Sequence, residues 1–262
     1  MEPSTQVSMK NRTGLQMSPV QSKEMLETVE GIEGLPNPPE GTGTAMAEMR
    51  LEYINEADPL GTVPAPASAK GMVKTGAKML TGNRPQVFMD KLAERCAFER
   101  GGTRLYDGLL TKFRARHDGG TAKPRKGNAT EAISQTRLVE IRDQEMQHFQ
   151  LLADCIEQMG GDPTAQTPSA DTVGVQTMGL IQTISDPRTT LTQSLHAALA
   201  AELIDVAGWE LLAELADGMG QKEMAKRFRE ALQHENEHLR SIRSWYESSV
   251  LQESGSAARA KA

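Results

Sequence analysis

Two copies of the pattern Glu-x-x-His constrain the fold of this chain more than any other feature. They are Glu145-x-x-His148 and Glu235-x-x-His238, and each falls in the middle of a long segment with helical periodicity. Positions i and i+3 share one face of an α-helix, so each copy would point a carboxylate and an imidazole in the same direction. In both copies that direction is the apolar stripe of the helix, where a charged group needs a partner.

The composition favours helices over sheets. Aromatic residues make up 4% of the 262 residues, and Val and Ile are few beside Ala, Leu, Met, Glu and Arg. The net charge of −6 argues against a nucleic-acid surface. No apolar run approaches the roughly 20 residues that span a bilayer, and the N-terminus lacks an apolar signal core. The two cysteines form no C-x-x-C pair and no disulfide framework, which favours the reducing cytoplasm. Together these features predict an all-α cytoplasmic protein without membrane segments.

The chain changes character near residue 86. Nine of its 13 prolines lie at or before Pro85, interleaved with glycines. We therefore predict an extended, mostly irregular arm over residues 1–85, with short helices around 20–30 and 67–80. A helical domain would follow over residues 86–250, and a flexible tail over 251–262.

Periodicity in the helical domain predicts four long helices and one short one. The long helices are expected over about 87–117 and 129–159, from Asp186-Pro187 to the turn at Gly218–Gly220, and over about 221–250, with the short helix over Thr172 to Ile184. Short connections make the first two and the last two long helices antiparallel hairpins. The roughly 26 residues between the hairpins can cross the length of a long helix, which rises about 1.5 Å per residue.

Two further carboxylates, Glu99 and Glu202, lie on the inner stripes of the first and third long helices. Both sit near mid-helix, as do the two Glu-x-x-His pairs, so antiparallel packing would bring all six side chains to one level. Four buried carboxylates would repel one another, whereas two divalent cations would balance their charge. Carboxylate and imidazole ligands suit iron or manganese better than a thiolate-preferring metal.

The order Glu99, Glu145-x-x-His148, Glu202, Glu235-x-x-His238 resembles the ferritin-like di-iron superfamily, which includes ferritins, bacterioferritins, rubrerythrins, di-iron oxygenases and manganese catalases. The resemblance covers residues 87–250 and implies a ferritin-like four-helix bundle, two antiparallel hairpins joined by one long crossover. It also implies two iron ions, or alternatively two manganese ions or a mixed Mn/Fe pair. The chain lacks the paired C-x-x-C motifs of a rubredoxin-like module, and Leu152 stands where a radical-forming protein carries tyrosine.

By that resemblance Glu99 and His148 would bind one metal, Glu202 and His238 the other, and Glu145 and Glu235 would bridge both. Two neighbouring residues are candidate supports for these ligands. Tyr106 falls where ferritins place a tyrosine that bonds a ligand carboxylate, here Glu202, although simple core packing is the alternative. Asp205 could hold a ligand histidine through its second ring nitrogen, or else form a salt bridge.

Several other polar or aromatic residues are predicted to have no part in the site. His117, His196 and His234 lie off the ligand register, while Trp209 and Trp245 fit the apolar core. Cys96 and Cys155 lie toward the same end of the bundle and fit as small core residues.

These features predict a non-haem di-iron or di-manganese protein that reacts with dioxygen or peroxide, as a ferroxidase, peroxidase or oxygenase. The alternatives are a manganese catalase-like enzyme, an iron-storage protein and a non-catalytic helical scaffold whose arm binds a partner. We expect a homo-oligomer, with a dimer favoured.

Overall fold

A computed structural model describes residues 50–51, 53–58, 60–64, 84–118 and 133–255. Backbone contacts divide the chain into two compact units, residues 1–59 and 60–262. In the first unit, residues 50–51 and 53–56 are helical. Most of the predicted arm lies outside the described residues, as do its short helices around 20–30 and 67–80.

Five helices make up the described part of the second unit. They are α1 (Pro85–Asp118), α2 (Gln135–Gln158), α3 (Pro168–Ser185), α4 (Leu191–Gly218) and α5 (Lys222–Glu253). No strand occurs in the described ranges, so the described chain is all-helical, as the composition predicted. None of these helices is long and apolar enough to cross a membrane.

The four long helices α1, α2, α5 and α4 contact one another in a ring, and each runs antiparallel to its neighbours. Contacts on α1 show the direction: Tyr106 reaches Glu202 on α4, while Arg95, further back on α1, reaches Asp205. On α5, His234 meets His148 of α2, and His238 meets Gln144. Rising numbers on one helix therefore meet falling numbers on the next, so all four mid-helix regions lie at one level.

Helix α3 crosses the length of the bundle between the two hairpins. It runs parallel to α1: Ser169 bonds Asp90 near the start, and Ile184 packs beside Gly108 near the end. The crossover helix is longer than the predicted Thr172 to Ile184, because Thr167 caps its N-terminus and Pro168 occupies the first turn.

The predicted start of the third long helix at Asp186-Pro187 is wrong. Asp186 ends α3, and its carboxylate accepts a bond from the backbone N–H of Arg188 at 2.8 Å. The helix begins instead at Leu191, where Thr190 and Gln193 form a reciprocal capping box. An Asp-Pro pair has the same composition in either role, and the stronger cap lies four residues later.

The predicted start of α2 at about residue 129 is also wrong, because the helix begins at Gln135, where the Ser134 side chain accepts a bond from the Arg137 backbone N–H. The remaining helix ends are close to the predicted ones. Helices α2 and α4 are each followed within two residues by a glycine with positive φ, Gly160 at 87° and Gly220 at 70°. Such backbone angles favour glycine and turn the chain out of the helix. Helix α5 continues to Glu253, so the predicted tail is helical over its first three residues, and residues 256–262 lie outside the described part.

The core consists of two apolar clusters separated by a polar layer. One cluster contains Leu109, Leu138 and Trp245, and the other contains Leu152 and Phe228. Cys96 and Cys155 both belong to the second cluster and are buried free thiols, as expected for core residues. Burial raises the pKa of Cys96 to about 11.

Candidate metal centre

All six residues that the sequence singles out as ligands meet in the polar layer, each with 3% or less of its surface exposed. Helices α1 and α4 contribute one carboxylate each, and helices α2 and α5 contribute one Glu-x-x-His pair each. The residues are Glu99, Glu145, His148, Glu202, Glu235 and His238. The structure therefore brings together residues that are separated by up to 139 positions in the chain (238 − 99).

Glu235 lies between the two histidines. Its Oε1 is 2.6 Å from His148 Nδ1, and its Oε2 is 3.0 Å from His238 Nδ1. The other carboxylates lie further out: Glu99 Oε2 is 3.7 Å from His148 Nδ1, and Glu145 Oε1 is 3.4 Å from His238 Nδ1. Both imidazoles thus turn Nδ1 toward the carboxylates.

Potential ligand atoms form three groups, and all three include Glu235. Glu99, His148 and Glu235 make one group. The second contains Glu145, Glu202, Glu235 and His238, and in each group one atom per residue lies within 4.8 Å of all the others. A further group replaces the histidines with Asp205, alongside Glu99, Glu145 and Glu235.

Three of the six residues keep a buried carboxylate oxygen without a hydrogen-bond partner among the described residues. These atoms are Glu99 Oε2, Glu145 Oε1 and Glu202 Oε2, whereas His148 Nδ1 and Glu235 Oε1 lie 2.6 Å from each other. A buried polar atom left unpaired costs about 1–3 kcal/mol, and more when it is charged. The residues that carry these atoms all belong to the groups of potential ligands, so a divalent cation bound there would satisfy the unpaired oxygens. The residues present therefore fit a pair of metal ions.

The electrostatics of the layer depend on the mutual repulsion of its carboxylates. Burial, reinforced by the negative charge of Glu235, raises the pKa of Glu145 and Glu202 well above the usual range. Burial alone would lower the pKa of His148, but Glu235 and Glu99 outweigh it and raise that pKa to about 10. For Glu235, hydrogen bonds from both histidines overcome burial and lower the pKa to about 2. Without a cation, protons must supply the positive charge that this layer needs.

Two aromatic residues hold the outward oxygens of the ligand carboxylates. The Tyr106 hydroxyl donates to Glu202 Oε1, the bond that the resemblance implied. Burial and the nearby Glu202 charge raise the pKa of Tyr106 well above its usual value, so the hydroxyl keeps its proton. The Trp209 indole N–H donates to Glu99 Oε1 at 2.8 Å, a contact that the sequence gave no reason to expect. In both carboxylates the second oxygen is left facing the centre.

Of the two partners predicted for Asp205, a ligand histidine or a salt-bridge cation, the structure shows the second. Its carboxylate pairs with Arg95 of α1, and Arg95 also donates to the Asp205 carbonyl at 3.3 Å and lies 4.1 Å over the Phe98 ring. Both charged side chains are buried. Asp205 thus forms the salt bridge that was the alternative, although inside the core rather than on the surface.

The outer nitrogens of the two histidines bond Gln144, which the sequence did not single out, and His234, for which the prediction of no part in the site is wrong. His238 Nε2 lies 2.8 Å from Gln144 Oε1, and His148 Nε2 lies 3.2 Å from His234 Nδ1. The His148 and His234 rings are stacked with centroids 5.4 Å apart. Burial and the two neighbouring histidines lower the pKa of His234, which favours its neutral form as an acceptor.

Two mid-helix glycines make room for the layer. A Cβ at Gly102 would overlap the Glu145 carboxylate, and a Cβ at Gly208 would lie 2.6 Å from Arg95 Cζ. Glycine costs about 1 kcal/mol relative to alanine inside a helix, so such positions indicate close packing. Gly101-Gly102, directly after Arg100 in helix α1, is the one sequence signal that could have located the approach of α2.

Comparison with known families gives one match. A profile described as a domain of unknown function (DUF892) matches residues 127–254, slightly less than half of the chain. The matched segment contains both Glu-x-x-His pairs and Glu202, whereas Glu99 and Tyr106 precede it. Neither a curated protein nor a solved structure gave a significant match.

Proposed function

We propose that this chain is a ferritin-like non-haem two-metal protein, with iron or manganese as the metal and dioxygen or peroxide as the oxidant. One observation carries the proposal: three buried carboxylate oxygens without hydrogen-bond partners converge with two imidazoles in a layer where two Glu-x-x-His helices face two single-Glu helices. A scaffold without a cation would gain nothing from such atoms, and each of them costs free energy.

The proposed ligand assignment follows the two groups of atoms. Glu99 and His148 would hold one metal, Glu202 and His238 the other, with Glu145 and Glu235 between them. The position of Glu235 in both groups supports a bridging role for that residue. For Glu145, its place in the second group and its approach to Glu99 and Asp205 in the third support the same role.

A pair of such metals, when bound, supplies the electrons and the Lewis acidity for reduction of dioxygen or peroxide. The chain's own residues prepare the centre for them. Tyr106 and Trp209 each occupy one oxygen of a ligand carboxylate, which orients the other oxygen inward. The apolar clusters above and below exclude bulk water, so the carboxylates act in a medium of low dielectric.

Anaerobic loading with ferrous iron followed by exposure to oxygen tests the proposal. We expect two iron ions per chain, and oxidation of both when oxygen is admitted, recorded by absorbance. Glu157→Gln, an exposed carboxylate on α2, provides a control that should behave as the parent. Saturation at one iron or none would contradict the proposal.

The number of chains in the assembly distinguishes an iron-storage protein from an oxidoreductase. An iron-storage role requires a shell of many subunits, whereas an oxidoreductase can act as the dimer that we propose. Gel filtration of the metal-loaded protein measures this directly: a species of 12 or 24 chains would favour storage, and a dimer would favour the oxidoreductase.

A further inference from the structure

The two Glu-x-x-His helices support each other's histidines by a reciprocal arrangement. The residue immediately before each ligand glutamate reaches across the α2–α5 pair and meets the histidine of the other helix. Gln144, before Glu145, meets His238, and His234, before Glu235, meets His148. The repeated unit is therefore five residues long, Gln/His-Glu-x-x-His, and its first residue serves the partner helix.

Both contacts involve Nε2, the nitrogen that faces away from the carboxylates. When Nε2 carries the proton and donates it outward, the lone pair of Nδ1 points toward the layer, which is the form that binds a cation. Gln144 and His234 are half-buried, in contrast to the fully buried ligands, so they lie at the boundary between the layer and solvent. Their place fits positioning residues rather than ligands.

The two positioning residues differ in chemistry. In the orientation observed, Gln144 presents its amide oxygen, which is always an acceptor, so it holds His238 in the tautomer that carries the proton on Nε2. An imidazole nitrogen accepts only in the tautomer that leaves it bare, so His234 holds His148 less firmly. The longer Nε2 contact of His148, 3.2 Å against 2.8 Å, agrees with this difference.

We infer that Gln144 and His234 are reciprocal positioning residues for the histidine ligands, and that their difference makes the two metal positions unequal. This inference rests on the proposed two-metal function. The position with His238 is the tighter one, and the position with His148 is the weaker. Partners of this kind typically change metal affinity by 10–100-fold when they are removed.

Cobalt titration of the metal-free protein tests the inference, with calorimetry and visible absorption as readouts. We expect two binding steps in the parent. His234→Ala should weaken the weaker step by about 10–100-fold and spare the other, whereas Gln144→Leu should weaken the tighter step. His234→Gln, which places an amide at both positions, should restore and tighten the weaker step.

Exposed neighbours provide matched controls. Gln233→Ala precedes His234 on α5, and Gln147→Leu lies one turn from Gln144 on α2; both residues are exposed. Each control should bind cobalt as the parent does. Since all four positions face solvent at least partly, circular dichroism should show the same folded helix content in every variant.

Nitrogen-15 spectra of histidine in the Zn²⁺-loaded protein give a readout that loss of packing alone would not change. We expect His148 to show a protonated Nε2 and a metal-bound Nδ1 in the parent, with the Nε2 proton signal broadened or lost in His234→Ala and recovered in His234→Gln. Parent-like affinities and spectra in both His234→Ala and Gln144→Leu would overturn the inference while leaving the two-metal proposal intact. A parent that binds fewer than two cobalt ions would instead overturn the proposed function.

Discussion

The apolar cluster around Leu109 and the polar layer around Glu235 occupy adjoining levels of one bundle, yet their side chains are held in different ways. Leu109 is fully buried among other apolar side chains, and its contacts are complete within the chain. Glu145, next to Glu235 in the layer, is almost equally buried but keeps one oxygen, Oε1, without a hydrogen-bond partner in the described structure. The apolar clusters therefore stabilise the fold, whereas the buried polar atoms of the layer destabilise it unless a cation binds them.

The layer itself contains a second contrast, between paired and unpaired charge. Arg95 and Asp205 neutralise each other, whereas in the described part of the chain no lysine or arginine pairs with the four candidate ligand glutamates, whose basic neighbours are His148 and His238. The pair lies on the α1–α4 side, where the carboxylate of Asp205 would otherwise add a fifth negative charge to the layer. We therefore expect that removing a charge from the Arg95–Asp205 pair lowers the free energy of unfolding, whereas removing an unpaired carboxylate raises it in the metal-free protein.

The largest change in the free energy of unfolding should come from disrupting the Arg95–Asp205 salt bridge. Arg95→Leu leaves Asp205 buried and uncompensated, and we expect it to lower the free energy of unfolding by about 3–5 kcal/mol. The double variant with Asp205→Leu should recover most of that loss, because it removes the orphaned charge. Urea denaturation at pH 7 measures both, with the exposed Arg100→Leu as the control. Equal losses in the single and double variants would show that the pair matters only through packing.

In the apolar cluster, Leu109→Ala should lower the free energy of unfolding by about 2–5 kcal/mol, since it deletes buried methyl groups and leaves a cavity. Leu211→Ala on α4 is the matched control, because Leu211 is 45% exposed and should change stability by less than about 0.5 kcal/mol. Denaturant titration of both variants gives the difference. Similar values for the two leucines would contradict the assignment of Leu109 to the core.

The unpaired part of the layer should respond in the other direction. Glu145→Gln keeps the side-chain shape but removes a carboxyl group that must take up a proton to be buried beside Glu235, since its pKa is raised in the folded state. The metal-free protein should therefore gain about 1–2 kcal/mol of stability at pH 7. The same variant should bind fewer than two metals. Denaturation in the presence of chelator, beside metal analysis after loading, tests both halves. A metal-free variant that is less stable than the parent would contradict the claim that the unpaired carboxylates of the layer destabilise the metal-free protein.

The smallest effect concerns a carboxylate outside both regions. Asp90 accepts bonds from the Ser169 backbone N–H at 3.0 Å and from the Ser169 hydroxyl at 2.6 Å, which anchors the start of α3 on α1. Burial raises the pKa of Asp90, but the bonds from Ser169 and Thr167 outweigh it, and the pKa falls below the usual value.

A lowered carboxyl pKa in the folded state stabilises the protein above the unfolded-state pKa, and that stability is lost as the pH falls through the folded-state pKa. Asp90→Asn should therefore cost less than about 1 kcal/mol at pH 7, because the group is partly exposed. As the pH is lowered from about 4, the variant should also lose less stability than the parent. Thermal denaturation across that range is the check, and identical pH profiles would contradict the role of Asp90.

The sequence predicted the helices and the six candidate ligands because their signals are local and periodic. Glu99 and Glu202 interrupt apolar stripes, and the two Glu-x-x-His pairs repeat a spacing that belongs to one helix face. The all-helical fold of the described chain and the convergence of these six side chains were predictable for that reason. The start of α4 was not, because Asp186 can end one helix as well as begin another.

Contacts between helices were much harder to predict. No periodic signal in the sequence separates Arg95, Gln144 and His234 from ordinary helix residues. Their roles depend on which residue of another helix lies opposite them. Trp209 fitted the apolar core, and only the structure shows its indole N–H on Glu99. Register between helices is set by packing across the whole bundle, which a single sequence does not encode locally.

The central claim is that the polar layer is a two-metal site, and anomalous X-ray diffraction from crystals of the manganese- or iron-loaded protein tests it most directly. The account predicts two metal peaks in the layer, one against Glu99 and His148 and one against Glu202 and His238, with Glu235 between them. A layer without peaks in fully loaded crystals, or metal bound only elsewhere on the chain, would contradict it.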